Sequence, residues 1–158
     1  MMSSTDKLRI APELVETIRQ HGVATYPHEC CGALLGRDSS SEAEPSLPRE
    51  IMDLFPLVNR RDDSPHNRFS VTPRDVIDAD RAAEERGLEV VGWYHSHPDH
   101  PARPSEYDRE HAWPWYSYII VSVRQRVSDE MTSWRLKEDR SGYTQEVLEI
   151  QEKAPTHH

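Results

Sequence analysis

The chain has 158 residues and sets 28 acidic against 19 basic side chains, for a formal net charge of −9. That length fits one domain with a sizeable core, and an acidic balance with scattered Lys and Arg argues against nucleic acid, which rewards clustered positive charge. No apolar run approaches the roughly 18 residues of a membrane span, no basic-then-apolar leader opens the chain, and Cys30 and Cys31 are adjacent, so they bridge only with strain; the expectation is a reducing, cytoplasmic setting.

Residues 1–9 read as an N-terminal extension. Pro12 opens a helix over 12–21, with Leu14, Val15 and Ile18 on one face and Gly22 as its stop. Pro27 breaks the chain, and the apolar run 31–36 between turn signals reads as a buried strand with Glu29 at its entrance. Residues 37–48 are polar and rich in Ser and Glu, a surface loop. Residues 51–58 predict a strand whose Pro56 argues for an edge or a bulge. A polar loop over 59–67 and a short strand over 68–71 follow.

Thr72 caps a second helix, with Pro73 at its first position, Asp75 facing the positive end of its dipole and Gly87 beyond its end. Val76, Ile77, Ala79 and Ala83 give that helix its apolar side. Residues 88–97 predict a strand on which Val91, Trp93, His95 and His97 share one face. Pro98, Pro101 and Pro104 make a stiff loop, and Ser105 caps a short helix reaching about residue 113. An apolar, central strand over 116–123 and a hairpin of 131–137 with 143–150 complete a domain spanning 10–150, with 151–158 as a tail. Mixed helices and strands with a later antiparallel part predict an α/β or α+β fold with a mixed sheet.

The chemistry concentrates between residues 95 and 108. His95 and His97 lie two apart on a strand, so both imidazoles point to one side and can hold one ion. The proline loop and the short helix would return the Asp108 carboxylate to that strand end. Two imidazoles and a carboxylate make a mixed nitrogen and oxygen set that suits a catalytic zinc, with the fourth position left to water. Hydrolysis is the reaction class this implies. Cys31 reads as a small buried filler, while His28, His100 and His111 read as surface histidines and Trp113, Trp115 and Trp134 as core.

His95-Ser96-His97-Pro98, the ten residues between His97 and Asp108, and Ser105-x-x-Asp108 together resemble the JAMM (MPN+) zinc metallopeptidases. The upstream run Pro27-His28-Glu29-Cys30-Cys31-Gly32-Ala33-Leu34-Leu35-Gly36 is similar to that family's glutamate strand in its bacterial form. The resemblance covers about residues 10–150. It implies a single JAMM/MPN-like domain with a mixed curved sheet flanked by helices and the zinc site at a strand end. It implies Zn2+ held by His95, His97 and Asp108, Glu29 as the catalytic glutamate and Ser105 as the oxyanion donor. It also implies cleavage of the amide bond after the C-terminal Gly-Gly of a ubiquitin-like or sulfur-carrier protein.

The residues are consistent with that chemistry. Zinc lowers the pKa of bound water to about 7, Glu29 could relay the proton to the leaving amine, and one oxyanion donor such as Ser105 is worth about 10²–10³ in rate. The chain has no obvious room for the large insertions with which eukaryotic members of that family grip ubiquitin. A small carrier is therefore expected, its glycine tail held at a sheet edge where narrow space selects glycine. The competing readings are an amidase of small peptides or metabolites and a non-catalytic scaffold of the same fold.

Overall fold

The computed structural model describes residues 6–39, 47–58 and 71–151. The polar loop expected over 59–67, residues 68–70 of the short strand expected after it, and residues 152–158 of the tail lie outside the described residues. Val71, the last position of that expected strand, is not in a strand.

Among the described residues the element order is β1 (Lys7–Ile10), α1 (Pro12–Thr25), β2 (Cys31–Asp38), β3 (Arg49–Pro56), α2 (Pro73–Glu85), β4 (Glu89–Pro98), α3 (Glu106–His111), β5 (Ser117–Arg124), β6 (Val127–Leu136) and β7 (Tyr143–Ile150). The strands lie side by side as β1-β3-β2-β4-β5-β6-β7, and β7 pairs back to β1, so the sheet curls into a closed barrel. It is mixed: β4–β5, β1–β3 and β1–β7 are parallel and the other pairs antiparallel. The expected mixed curved sheet with flanking helices is therefore the fold. β1 begins at Lys7, so the sheet starts inside the stretch read as an extension.

Two apolar clusters lie on opposite faces of the sheet, because alternate residues of β2 feed each of them. Val15 and Ile18 of α1 pack with Leu34, Tyr94, Ile119 and Val121. Ala79, Ala82 and Ala83 of α2 pack with Ala33, Leu35, Trp93 and Tyr118. Ile77 is half exposed, and Ala82 takes the place expected for it. Thr72 and Asp75 form a reciprocal capping box at the start of α2, which fixes where that helix begins.

Helix α1 runs to Thr25, past the expected stop at Gly22. Gly22 is buried there, and a Cβ on it would stand 3.0 Å from Val123 Cγ2 and 3.4 Å from Ser96 Cβ. The glycine lets the helix press onto the sheet; it does not end it.

The face expected for β4 also needs a correction. Leu34 pairs with Gly92 and Leu35 with Val90, which leaves Val91 as an extra residue on β4. Such a bulge reverses the alternation on its two sides. Val91 packs with Tyr94 in the α1 cluster, and Val90 with Trp93 in the α2 cluster. Downstream of the bulge, Trp93, His95 and His97 keep their common face.

Strands β4 and β5 are parallel, so they need a crossover. Residues 99–116 supply it and carry both the proline loop and α3. The candidate ligands thus meet at the carboxyl end of β4. No helix among the described residues is long and apolar enough to cross a membrane.

Candidate metal centre

The period of the strand brings the two imidazoles together. His95 Nε2 lies 3.1 Å from His97 Nε2. Asp108 Oδ2 stands 3.1 Å from His97 Nε2 and 3.4 Å from His95 Nε2. A tetrahedral zinc with bonds of about 2.0–2.1 Å spaces its ligand atoms by about 3.3–3.4 Å. The triangle of donor atoms therefore fits one face of a zinc tetrahedron, and these three residues form a cluster able to hold a metal ion.

The electrostatics match a site built for a cation. Burial alone would push the Asp108 carboxyl up, but the two imidazoles beside it outweigh that and hold it well below the usual carboxylate range. Burial alone would likewise push His95 down, but the Asp108 carboxylate outweighs it and raises the imidazole above its ordinary value. The pocket thus favours positive charge at its centre.

The surroundings orient each of the three side chains. His97 Nδ1 donates to the Pro101 carbonyl at 2.9 Å, which leaves Nε2 as the nitrogen able to ligate. Asp108 sits in the first turn of α3, where its carboxylate accepts the Ser105 N–H at 2.8 Å and the Ser105 hydroxyl accepts the Asp108 N–H at 3.0 Å. This capping box fixes the carboxylate and leaves the Ser105 O–H proton able to donate elsewhere. Ser96, between the histidines, faces the opposite side of the strand and is fully buried. Its Oγ accepts the Cys30 N–H at 2.8 Å, and its N–H donates to the Cys30 carbonyl at 3.2 Å. That stitches the residue following Glu29 to β4, the strand of the two histidines.

Glu29, His95 and Asp108 line one groove of about 510 Å³. His97 completes the donor triangle, and Ser105 caps the helix beside it, so all five expected site residues gather at one strand end. Sequence reasoning missed the walls of the groove: Trp93, Tyr107, Tyr118, Arg140 and Tyr143. Arg140 and Tyr143 come from the β6–β7 hairpin, far away in the chain, and no local signal marks them. Trp113 and Trp115, expected in the core, are 46% and 43% exposed, and Trp113 lines the groove. Their setting on either side of Pro114, in the loop between a short helix and a strand, was the available signal.

His100 is exposed, as read, and so is His111, which stacks on Tyr107 with ring centroids 4.1 Å apart. His28 is half-buried. Cys30 and Cys31 are buried free thiols, and Cys31 lines the groove.

The description "Prokaryotic homologs of the JAB domain" matches residues 11–137. The chain is 31% identical over 130 residues to a desampylase of Haloferax volcanii, covering 79% of this chain and 87% of that protein. It is 33% identical over 110 residues to a Thermus thermophilus protein named "Probable TtuB-protein conjugate cleaving protease", covering 70% of this chain and 66% of that one. A protein from Salinibacter ruber with a solution structure superposes with a TM-score of 0.69 at 41% identity, over 95% of this chain and 96% of that one. With the fold and the donor triangle beside that match, the chain belongs to the prokaryotic homologs of the JAB domain, a family of metal-dependent hydrolases.

Proposed function

We propose that this protein is a zinc-dependent isopeptidase that hydrolyses the amide bond after the C-terminal Gly-Gly of a ubiquitin-like or sulfur-carrier protein. The observation that carries the reading is the shared groove, which Glu29 lines together with His95 and Asp108. The desampylase and the conjugate-cleaving protease among its relatives support a ubiquitin-like partner.

His95 Nε2, His97 Nε2 and Asp108 Oδ2 would hold the ion. When bound, zinc supplies Lewis acidity toward the scissile carbonyl and the attacking water. The Glu29 carboxylate accepts a proton from that water and returns it to the nitrogen of the leaving amine, which lets the C–N bond break without releasing an amide anion. The Ser105 hydroxyl donates its proton toward the carbonyl oxygen as negative charge develops there. The groove holds the extended tail and limits water around the reacting carbonyl.

The test is mass spectrometry of a Gly-Gly-ended ubiquitin-like protein bearing a C-terminal extension. It is incubated with zinc-loaded protein and with Glu29→Gln. The wild type should cleave directly after the glycines. Glu29→Gln should keep stoichiometric zinc and lose turnover by at least about 10²-fold, the contribution typical of a positioned acid–base group. Equal cleavage by both proteins would remove Glu29 from proton transfer, and cleavage of free peptide amides alone would replace the carrier with a small amide substrate.

A further inference from the structure

Three consecutive carbonyls of the proline loop are each claimed by a side chain. The His100 carbonyl accepts the Ser122 hydroxyl at 2.6 Å. The Pro101 carbonyl accepts His97 Nδ1–H at 2.9 Å. The Ala102 carbonyl accepts the Thr132 hydroxyl at 2.6 Å. Ser122 stands on β5 and Thr132 on β6, the two strands beyond β4, and both side chains are buried. Neither belongs to the sequence motif around the histidines.

The Ala102 carbonyl only accepts, so the Thr132 hydroxyl is the donor of that bond. Trp134 Nε1–H donates to Thr132 Oγ1 at 2.8 Å, which leaves the hydroxyl proton directed to Ala102. The resulting chain, indole to hydroxyl to carbonyl, polarises each bond in the same sense. The loop is anchored at its start as well, because Asp99 N–H donates to the Val123 carbonyl at 2.7 Å.

These bonds bear on His97. An imidazole ligates through one nitrogen only when the other holds the proton, and the acceptor of that proton sets the ring's tautomer and tilt. The acceptor here is Pro101, and the carbonyls on both sides of it are pinned by hydroxyls rooted in the barrel wall. We propose that Ser122 and Thr132 are positioning residues that fix the Pro101 carbonyl and so hold His97 with its Nε2 free for the metal. The inference rests on the reading of His97 as a ligand. It predicts that the metal site extends structurally across β4, β5 and β6.

The test uses the full chain with Ser122→Ala, Thr132→Val and the conservative Thr132→Ser. Each variant is measured for zinc affinity by chelator competition and for its cobalt absorption spectrum. The His97 tautomer is read in the metal-free protein by nitrogen-15 NMR of the imidazole. Ser122→Ala and Thr132→Val should weaken zinc by about 10–100-fold, the range usual for groups that orient a ligand. They should alter the cobalt spectrum and mix the His97 tautomers, while Thr132→Ser restores all three readings. Unchanged affinity, spectrum and tautomer in Ser122→Ala and Thr132→Val would overturn the proposal. If Thr132→Val does not fold, Ser122→Ala decides on the same readings. If the wild type binds no zinc, the ligand reading fails by itself, and the metal-free tautomer still judges the two hydroxyls.

Discussion

Cys30 shows how one side chain beside the site is defined by burial rather than by reactivity. It is 1% exposed and next to Glu29 in the chain. Desolvation pushes its thiol from an ordinary 9.0 up to about 11, against the opposing pull of its hydrogen bond with Ser96. A thiol attacks as the thiolate, so this one is inert at neutral pH. The sign of the linkage follows from the raised value: the fold favours the protonated thiol, so its contribution is complete below pH 9 and is lost as the pH rises toward 11. That amounts to about 2 kcal/mol by pH 11. Urea midpoints should therefore fall between pH 9 and 11, and should fall less in Cys30→Ala. Iodoacetamide should label the folded wild type slowly at pH 8; rapid labelling of Cys30 under those conditions would sink this account. The buried filler expected from the sequence was its neighbour Cys31, which is likewise buried.

At the scale of elements, α3 poses a physical problem. It has six residues, Glu106–His111, too few to be stable alone, yet it carries Asp108. Its N-terminus is closed by the Ser105 capping box, and its other end by a residue remote in sequence. Arg140, at φ 62 in the β6–β7 turn, donates from its guanidinium to the carbonyls of Ala112 at 2.8 Å and Arg109 at 3.2 Å. Arg109 returns a bond to the Arg140 carbonyl at 3.0 Å. A cation at a helix C-terminus also suits the dipole. Arg140→Met should therefore speed amide exchange over α3 by about 10–100-fold, since one hydrogen bond to a charged group is worth about 1.5–3 kcal/mol. Hydrogen-exchange mass spectrometry of the metal-free protein reads this directly, and unchanged exchange over α3 would refute the clamp. The N-terminal cap was legible because Ser105 and Asp108 lie three apart. The C-terminal clamp was not, because nothing local ties Arg140 to α3. For the same reason the β5–β6 turn was unread: Gln125 and Arg126 adopt φ 49 and 69 without the Gly or Asn that usually announces such a turn.

Across the whole molecule, the barrel is closed by charge as well as by ladder hydrogen bonds. Arg49 of β3 is fully buried. It pairs with Asp38 of β2 at 2.8 Å and donates to the Val91 carbonyl of β4 and to Ser117 Oγ of β5. Ser117 donates on to Glu146 of β7, which also accepts Ser133 and Arg135 of β6, and Arg135 reaches Asp6 just before β1. The network touches six strands and the entry to the seventh. Arg49 also donates to the Trp115 carbonyl at 2.7 Å and lies 4.2 Å from the centre of its ring, which holds Trp115 at a φ of 84 that non-glycine residues rarely adopt. Periodicity exposes the apolar faces of single strands, so the mixed sheet and the histidine strand were legible; a polar set assembled from seven distant segments has no sequence period and was not. Removing one partner of a buried ion pair leaves the other groups desolvated without compensation. Arg49→Met should thus lower stability by about 3–5 kcal/mol in urea unfolding. The donor triangle stands on a different part of the sheet, at the carboxyl end of β4, and β4 meets the network at Val91, its bulged residue. Folded Arg49→Met should accordingly keep stoichiometric zinc with an unaltered cobalt spectrum. A changed spectrum in the folded fraction would mean that barrel closure and metal geometry are one cooperative unit.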